Sequence, residues 1–559
     1  MNCKKSIYDP ATKIWSGPRC PPMYNPDANL GYLFMQRLIQ QPKSIFQICD
    51  DTGVKLTCAD VYERSLKFAS YFTRHNLKQG DVVGLIASNS ENVAPIMFGC
   101  FVIGVAVNPI SVEMKENEIE HMWGKTKPKI IFTDGKIAAK VKEGVDKIKL
   151  DAKIFTLISK IDGFQFVDQI LDEYTDWQNY IFPDLPNISS TIAIINCSSG
   201  TTKIPKGVCL SHKKLIELSI LPFDSNLKDT DVNLITFLPY WILHILYSTY
   251  CVMYNIPNVI TSQPVTPENW MDIIDRQKVT VVFIPSPYAA RVLNSEKVRP
   301  LKSLRILTVG GGVISERTMH ELQAIVPNGI VINAYGLTET GRISATTDMQ
   351  GSLSAVPDEY TGLSSGYLHY NVRVKICDEN GTALEPNKVG EIYAITGTPF
   401  SGYFGEPEVY NDCFDSEGFV KTGDAGYFDD SGKLYVLDRV EHMIKSIGSY
   451  QVTPREIENY IDEIPGVKYS SVVGIYDPDY KYEKIHAFVI KKDNAPDGLN
   501  ESFIVNHVNA KVGKEKQITG GVYFVNEFPN APNGNLLKRE LKQLAAKMGK
   551  LNLKNMGSN

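Results

Sequence analysis

The chain has 559 residues, of which 43% are hydrophobic and 22% are charged, and its 58 basic and 63 acidic side chains leave a net charge of −5. The hydrophobic content and the scattered glycines and prolines exclude a disordered or collagen-like chain. Because the charge is near neutral and no basic block is present, a nucleic-acid partner is not expected. At ~150 residues per domain, the length predicts roughly three or four compact units of a large soluble enzyme.

The ten cysteines do not form a metal-binding pattern. No two of them make a Cys-x-x-Cys pair, and no histidine cluster accompanies them at zinc spacing. The first residues lack an uninterrupted apolar segment, so a secretory signal is not expected. The sequence therefore predicts free thiols in a reducing compartment.

Two long segments, 92–112 and 232–267, contain no charged residue and raise the question of a membrane span. Prolines and polar side chains interrupt both segments. Lipid would penalise those polar groups, whereas a large protein core can hydrogen-bond them. Both segments are predicted to be buried core helices followed by strands, and no integral membrane segment is expected.

Up to about residue 360, short β-branched segments alternate with helix-like segments. Strands are predicted at 130–133, 191–196, 279–284, 304–309 and 329–333. Three glycines end the fourth of these strands, and a helical pattern follows from Ser315. This alternation predicts an α/β architecture with largely parallel sheets.

Beyond about residue 360, the pattern changes to short strands between turns rich in Gly, Asp and Asn. Further strands are predicted at 372–376, 390–394, 470–473 and 485–490, and a closing helix at 540–548. A helix is predicted to begin at Pro454, with Thr453 and Glu456 forming a capping box. The residues from Glu441 onward, ~120 in number, are enough for a unit with its own core.

The most informative segment follows the predicted strand 191–196 and consists almost entirely of hydroxyl-bearing residues, glycine and lysine. Its candidate phosphate-binding residues are Ser198, Ser199, Gly200, Thr201, Thr202 and Lys206. Backbone amides and hydroxyls can converge on an anion, and a lysine charge suits phosphate. Walker A needs Gly-Lys-Ser/Thr entering a helix, whereas the order here is Pro-Lys-Gly, so a P-loop NTPase is not predicted. A polar surface turn is the alternative.

A second polar segment follows the predicted strand 329–333. Tyr335, Thr338 and Glu339 should lie at its carboxyl end, where open α/β sheets bind ligands. An aromatic ring can stack on a base, and a carboxylate can hold Mg²⁺ beside phosphates. A solvated turn explains the segment equally well.

Two further positions are candidates for ligand contact. Asp424, which follows a glycine, could accept hydrogen bonds from ribose hydroxyls, and Arg439 could bind phosphate or carboxylate in a bidentate fork. Ordinary strand-end charges are the alternative. Gly311 and Gly312 do not fit the dinucleotide fingerprint, because Ser315 occupies its sixth position, so they predict a tight turn close to a ligand.

Taken in order, these segments resemble the acyl-adenylate-forming superfamily, in its branch of 4-coumarate–CoA ligases, acyl-CoA synthetases and beetle luciferases. Residues 198–207 match its phosphate loop except at Lys203, and residues 335–340 match its adenine and Mg²⁺ segment without a break. The resemblance covers nearly the whole chain. It implies an N-terminal adenylation domain at 1–440, with parallel sheets, helices and a β-rich subdomain. A small mobile α+β lid at 441–559 would rotate about a hinge at Glu441.

The resemblance also implies a two-step reaction with ATP, Mg²⁺ and coenzyme A. A carboxylate attacks the α-phosphate of Mg·ATP to give an acyl-adenylate and pyrophosphate, and coenzyme A then attacks the acyl carbon and releases AMP. The implied nucleotide-binding residues include Gly311, Gly312, Tyr335, Gly336 and Thr338. The resemblance further implies that Glu339 is the metal ligand, that Thr338 is catalytic, and that Lys445 serves the thioester step.

The chain departs from the family pattern at two positions. Lys203 replaces a glycine in the phosphate loop, which stiffens it at a cost of roughly 1–2 kcal/mol if φ is positive there. Asn535 replaces the adenylation lysine, and losing such a contact typically costs ~10²–10³ in rate. Lys538 and Arg539 are near, but a helix should point both elsewhere.

Bulky residues occupy the segment that corresponds to the family's acyl pocket. Tyr240, Trp241 and His244 are its candidate substrate contacts, and they suggest a hydrophobic acid. The favoured hypothesis is a CoA ligase for a fatty or aromatic acid, with slow adenylation as one version of it. A pseudoenzyme that binds nucleotide, acyl-adenylate or CoA is the alternative, and a luciferase-like oxygenase is the third. The chain ends in Gly-Ser-Asn rather than Ser-Lys-Leu, so a cytoplasmic location is expected.

Overall fold

A computed structural model of the protein describes residues 6–22, 24–25, 27–198, 206–219, 227–346, 364–447, 450–529 and 536–555. The chain divides into two compact units. The first contains the described residues of Met1–Val374, Ala394–Lys421 and Ser431–Lys433, and the second those of Lys375–Tyr393, Thr422–Asp430 and Leu434–Asn559. The boundary at 440/441 stays a prediction.

The N-terminal third of the chain alternates strands with helices. Its strands are β1 (Ile7–Asp9), β2 (Ile14–Ser16), β3 (Ile45–Cys49), β4 (Lys55–Thr57), β5 (Val82–Ile86), β6 (Ala106–Pro109), β7 (Ile130–Thr133), β8 (Lys153–Thr156), β9 (Gln165–Phe166) and β10 (Ile192–Ser198). Its helices are α1 (Leu30–Gln40), α2 (Cys58–Arg74), α3 (Val93–Val102), α4 (Glu116–Thr126), α5 (Ala138–Lys147) and α6 (Asp168–Glu173).

The alternation continues through residues 206–346. The strands there are β11 (Lys206–Ser211), β12 (Asn233–Leu234), β13 (Asn258–Ile260), β14 (Val281–Pro285), β15 (Ile306–Gly310), β16 (Ile330–Leu337) and β17 (Gly341–Ala345). The helices are α7 (His212–Ser219), α8 (Ile242–Tyr254), α9 (Pro267–Gln277), α10 (Ser286–Leu293) and α11 (Glu316–Ile325).

Strands predominate in residues 364–555. They are β18 (Tyr367–Leu368), β19 (Val372–Cys377), β20 (Gly390–Thr396), β21 (Val420–Phe428), β22 (Leu434–Arg439), β23 (Ile444–Lys445), β24 (Gln451–Val452), β25 (Val467–Asp477), β26 (Tyr482–Lys491) and β27 (Gly521–Phe524). The helices are α12 (Pro407–Asp412), α13 (Pro454–Asp462), α14 (Glu501–Asn509) and α15 (Lys538–Asn555).

Two large sheets organise the first unit. A seven-stranded sheet has the order β11-β10-β6-β5-β7-β8-β9 and is parallel except for the β10–β11 pair. A nine-stranded sheet has the order β18-β17-β16-β15-β14-β12-β13-β3-β4, and the six strands from β16 to β3 are parallel. The prediction of an α/β fold with largely parallel sheets is confirmed.

The two uncharged segments lie in the core of this unit. Every residue of α3 is buried, and α8 is buried along most of its length. The polar side chain of Asn108 donates to the Ile195 carbonyl at 2.7 Å and accepts from the Thr126 hydroxyl at 2.9 Å, which satisfies it without water. Within the described part of the chain, no helix combines the length and apolarity that a membrane crossing needs.

The second unit contains a three-stranded sheet, β25-β26-β27, and the β23–β24 pair. Helix α13 begins at Pro454, as predicted, but the predicted capping box is wrong. The Thr453 side chain makes no capping hydrogen bond, and Glu456 instead accepts from the Lys516 ammonium at 2.7 Å. The Glu456 carboxylate therefore accepts from a lysine of a distant segment instead of from the Thr453 backbone amide.

A further six-stranded sheet has the order β1-β2-β19-β20-β21-β22. Its last two strands are antiparallel and place Asp424 opposite Arg439. No disulfide joins any two of the nine cysteines within the described residues.

Candidate functional site

The predicted phosphate segment connects the two strands of a β-hairpin. Strand β10 ends at Ser198, β11 begins at Lys206, and these two residues are paired across the ladder. Ser199, Gly200, Thr201, Thr202 and Lys203 lie outside the described residues. The segment leads into a strand rather than a helix, unlike a Walker A loop.

Lys206 and Glu339 are brought together at one tyrosine of the first unit. The Lys206 ammonium lies 5.1 Å from the centre of the Tyr403 ring, within cation–π range. The Tyr403 hydroxyl donates to Glu339 Oε1 at 2.9 Å. Burial, reinforced by the charge of Glu339, raises the pKa of Tyr403, so its hydroxyl stays protonated and keeps donating. A candidate phosphate ligand and a candidate metal ligand thus share one neighbour.

The segment that carries Glu339 is a tight turn between β16 and β17. The strand β16 continues past the predicted end at 333 and includes Tyr335 and Gly336, because it pairs there with β17. A Cβ on Gly336 would lie 2.1 Å from the Gly341 carbonyl oxygen, so only glycine fits. Thr338 and Glu339 occupy the turn itself, with half-buried side chains.

Gly311 and Gly312 form an exposed turn at the carboxyl end of β15. Gly311 has a φ of +75°, and a Cβ added there would meet no atom within 4 Å. The Ser286 hydroxyl is within hydrogen-bond distance of the Gly310 carbonyl (3.2 Å) and the Gly312 carbonyl (2.7 Å). The turn is therefore held from one side and open on the other, and its closeness to a ligand stays a prediction.

The candidate acyl-pocket residues lie at the start of α8 among other aromatic rings. Trp241 stacks on Phe237 with ring centres 5.5 Å apart, and Tyr240 lies 6.3 Å from Trp241. His244 is buried inside α8, where desolvation lowers its pKa to about 3 and keeps the imidazole neutral. Its Nδ1 has no hydrogen-bond partner among the described residues. These residues form an aromatic and uncharged environment.

Asp424 and Arg439, both in the second unit, contact each other directly. Arg439 Nη1 donates to Asp424 Oδ1 at 2.9 Å and to the Thr422 carbonyl at 3.0 Å. One nitrogen of the arginine therefore contacts both the carboxylate and a backbone carbonyl. That Arg439 binds a ligand in a bidentate fork stays a prediction. An ion pair of this kind holds the carboxylate in a fixed orientation.

The remaining candidates of the second unit are Lys445, Glu441 and Asn535. Lys445 is exposed at the end of β23, and its ammonium contacts Glu379 at 2.9 Å. Glu441 lies in the short 3₁₀ turn Val440–His442. Asn535 lies outside the described residues.

Lys538, three residues beyond Asn535, is held inside the second unit. Its ammonium lies 2.8 Å from Asp438 Oδ2 and 3.5 Å from Glu458 Oε1. Arg539, in contrast, is exposed. The lysine nearest in sequence to Asn535 is therefore engaged by two carboxylates, and where it points relative to position 535 stays a prediction.

The sequence analysis missed a group of polar residues around helix α7. Lys214 and Glu217 extend from this helix to Thr340, Thr396 and Thr398, through contacts between 2.6 and 3.1 Å. The signal in the sequence is a lysine among the apolar residues of a helix, and Lys213 beside it carries the same signal.

The donor set fits Mg·ATP better than a metal held by protein ligands alone. Among the described residues, no group of three or more His, Cys, Asp or Glu side chains could hold a metal ion. Mg²⁺ is commonly bound by one or two carboxylates together with substrate phosphates. Glu339, with the Thr338 hydroxyl beside it and Lys206 near, satisfies that requirement.

Comparisons with known proteins find matches over most of the chain. The family described as AMP-binding enzyme matches residues 34–404, and AMP-binding enzyme C-terminal domain matches residues 456–535. A probable 4-coumarate–CoA ligase 3 from Dictyostelium discoideum is 26% identical and covers 93% of this chain and 96% of its own length. Acyl-CoA synthetase 7 from Caenorhabditis elegans is 27% identical and covers 88% and 90%.

The fold is similar to solved structures at lower identity. The ATP-bound MatB from Rhodopseudomonas palustris superposes with a TM-score of 0.82 at 23% identity, covering 93% of this chain and 99% of MatB. The resemblance found in the sequence is confirmed, and AMP-binding enzymes use ATP, Mg²⁺ and coenzyme A. With two thirds of its length matched by the family's main domain, the chain belongs to the AMP-binding enzyme family.

Proposed function

We propose that the protein is an AMP-forming acid–thiol ligase that activates a hydrophobic carboxylic acid and transfers the acyl group to coenzyme A. The observation that carries this proposal is the meeting of Lys206 and Glu339 at Tyr403, in a chain of the AMP-binding enzyme family. The names of two relatives, a 4-coumarate–CoA ligase and an acyl-CoA synthetase, support an acid–thiol ligase.

In the first step, a carboxylate oxygen of the acid bonds to the α-phosphorus of ATP, and the bond to the pyrophosphate leaving group breaks. Lys206 and the hydroxyls of Ser198, Ser199, Thr201 and Thr202 would bind phosphate oxygens. Glu339 and Thr338 would hold Mg²⁺, which supplies positive charge against the triphosphate. Catalysis of this kind consists of positioning and electrostatic stabilisation.

The nucleoside would be bound by three elements. Tyr335 offers a ring for the adenine, and the exposed Gly311–Gly312 backbone offers close approach beside it. Asp424, oriented by Arg439, would accept from the ribose hydroxyls. In the second step, the thiolate of coenzyme A attacks the acyl carbon and AMP leaves with the bonding electrons. Lys445, which is exposed in the described structure, would act in this step.

The acyl group is proposed to be fatty or aromatic. The rings of Tyr240 and Trp241 and the neutral imidazole of His244 supply no charge that would bind a second carboxylate. Burying apolar surface against such rings contributes ~25 cal/mol per Å². A hydrophobic acid therefore gains more from this environment than a charged one.

A nucleotide-binding pseudoenzyme is the second candidate, and Asn535 is the observation that favours it. A neutral amide does not neutralise developing charge, and removing such a contact costs ~10²–10³ in rate. Lys538 is held by Asp438 and Glu458, which argues against its replacing the missing lysine.

The test is acid-dependent pyrophosphate release with Mg·ATP across fatty and aromatic acids, each with and without coenzyme A. A ligase gives acyl-CoA and AMP with at least one acid, and Asn535→Lys increases the rate. Wild-type protein that binds ATP but releases no pyrophosphate, while Asn535→Lys does release it, supports the pseudoenzyme. Robust wild-type turnover that Asn535→Lys leaves unchanged contradicts the importance given to position 535. Light emission with a luciferin would instead indicate an oxygenase.

A further inference from the structure

Helix α7 contains a fully buried lysine whose hydrogen bonds all go to uncharged oxygens. Lys214 Nζ lies 3.1 Å from the Thr340 carbonyl, 3.1 Å from the Thr396 carbonyl and 3.0 Å from the Thr396 hydroxyl oxygen. Burial lowers the pKa of Lys214 to about 8, although the charge of Glu217 on the same helix acts in the opposite direction. An ammonium in such a place costs free energy that a methionine of similar size would not.

The segments that Lys214 joins are the two that form the Glu339–Tyr403 pair. Thr340 directly follows Glu339, and its hydroxyl closes the turn by accepting from the Leu337 amide at 3.3 Å. The Thr396 hydroxyl donates to the same Thr340 carbonyl at 2.5 Å. Thr396 lies at the end of β20, and the chain runs from there to Tyr403. One ammonium thus ties together the two segments that orient the candidate metal ligand.

Glu217 strengthens this connection from the next turn of the helix. Its carboxylate accepts from the Thr398 amide at 2.8 Å and from the Thr398 hydroxyl at 2.6 Å. A Cβ on Gly397, whose φ is +70°, would lie 2.8 Å from this carboxylate, so the segment passes directly beside it. Helix α7 therefore holds residues 396–398 through one cation and one anion.

We propose that Lys214 is a positioning residue that sets the Glu339 turn against the Tyr403 segment and so orients Glu339 for Mg·ATP. This role rests on the function proposed above for the site. Lys214 does not touch the reacting atoms and acts through Thr340 and Thr396. Its burial among neutral oxygens lowers the stability of the fold. We therefore attribute the role of Lys214 to the geometry that it imposes on the site.

The experiment compares Lys214→Met with Lys213→Met, a matched change on the same helix. Lys213 is partly exposed and lies 3.5 Å from the exposed Asp27. We expect Lys214→Met to lower kcat for acid-dependent pyrophosphate release by roughly 10- to 100-fold, as a misplaced catalytic group does. The Mg²⁺ concentration for half-maximal rate should rise several-fold, while KM for the acid stays unchanged. Lys213→Met should match the wild type, and Lys214→Gln, which keeps two N–H donors, should recover part of the rate.

Amide hydrogen exchange in the ligand-free protein tests the same proposal without any turnover. Amides of residues 337–345 and 396–404 should exchange faster in Lys214→Met than in Lys213→Met, and those of the second unit should not change. If the wild type releases no pyrophosphate with any acid, the proposed function fails, and the exchange result alone decides whether Lys214 holds the turn.

Two results overturn the proposal. One is exchange and kinetics in Lys214→Met that match Lys213→Met. The other is a Lys214→Met protein that melts at a lower temperature but, where folded, keeps the wild-type kcat and Mg²⁺ dependence, since Lys214 would then serve stability only.

If Lys214→Met does not fold, Thr396→Val removes the hydroxyl bridge to Thr340 and keeps the ammonium. It should shift exchange and Mg²⁺ dependence in the same direction by a smaller factor, and wild-type behaviour there would also count against the proposal.

Discussion

Lys214 in the first unit and Lys538 in the second are both largely shielded from water, but they are held in opposite ways. Lys214, in the first unit, contacts only uncharged oxygens, and burial lowers its pKa to about 8. Lys538, in the second, is also desolvated, but the charges of Glu458 and Asp438 outweigh this and raise its pKa. Burial alone therefore does not tell what a lysine does, because its partners decide whether its charge costs or contributes stability.

The largest expected effect comes from removing the charge that balances two buried carboxylates. Lys538→Met should destabilise the protein by about 3 kcal/mol, the lower end of the cost of removing one partner of a buried ion pair. Asp438 then keeps only His442 at 3.0 Å, and Glu458 keeps Arg455 at 3.2 Å. Urea denaturation of the full chain measures this loss. Lys542→Met is the matched control on the same helix. Lys542 is 32% exposed and lies 3.6 Å from Glu483, so its removal should cost below about 1 kcal/mol. Equal losses of stability in Lys538→Met and Lys542→Met would contradict the importance given to the partners of Lys538.

A smaller effect distinguishes Lys214 from Lys538, because the stability that each contributes changes with pH in the opposite direction. Burial lowers the pKa of Lys214 from its ordinary value of 10.5 to about 8, so between these pH values the unfolded chain binds more protons than the folded protein. Wild-type stability relative to Lys214→Met should therefore rise by roughly 1–3 kcal/mol from pH 8 to 10.5. For Lys538 the sign is reversed, since its contribution is present below the unfolded pKa and is lost as pH rises through the higher folded pKa. Denaturation between pH 8 and 10.5 measures the Lys214 contribution, whereas that of Lys538 changes only above pH 10.5. A flat stability difference between wild type and Lys214→Met from pH 8 to 10.5 would contradict the environment described for Lys214.

The smallest effect tests the one carboxylate whose charge opposes the low pKa of Lys214. Glu217→Gln removes that charge but keeps an acceptor for the Thr398 amide, so stability should change by about 1 kcal/mol or less. The alkaline rise in stability should begin at a lower pH than in the wild type. Glu321→Gln, at an exposed residue 2.8 Å from Arg317, is the control and should leave the pH at which the rise begins unchanged.

The sequence predicted the fold well where the signal is local. The β-branched segment at 130–133 matches Ile130–Thr133 at both ends, since turns on either side limit it. Ser315 caps α11 as its position before the helical pattern indicates, accepting from the Thr318 amide at 3.1 Å. The uncharged segments became core helices followed by strands, in which polar side chains such as that of Asn108 find partners inside the protein.

Predictions that depend on distant residues were less accurate. The strand predicted at 329–333 runs on to Leu337 because β17 pairs with it, and neither strand indicates that pairing alone. The capping box predicted at Thr453 does not form, and its Glu456 instead contacts Lys516, which lies far away in the sequence. Lys213 and Lys214 are adjacent and identical in type, so no local pattern tells which is buried. Only the packing of α7 against Thr340 and Thr396 distinguishes them.

Strand pairing with distant residues keeps Lys206 in place when the sequence of the loop before it changes. Strand β11 is hydrogen-bonded on one edge to β10 and on the other to residues 401–404, through pairs such as Cys209 N to the Gly402 carbonyl and Phe404 N to the Gly207 carbonyl. Held on both edges, this strand cannot slide when residues 199–205 change. Evolution can therefore replace glycine with lysine at position 203 without moving Lys206 or Tyr403. The substitution changes phosphate affinity, while the strands that position these two residues stay in place.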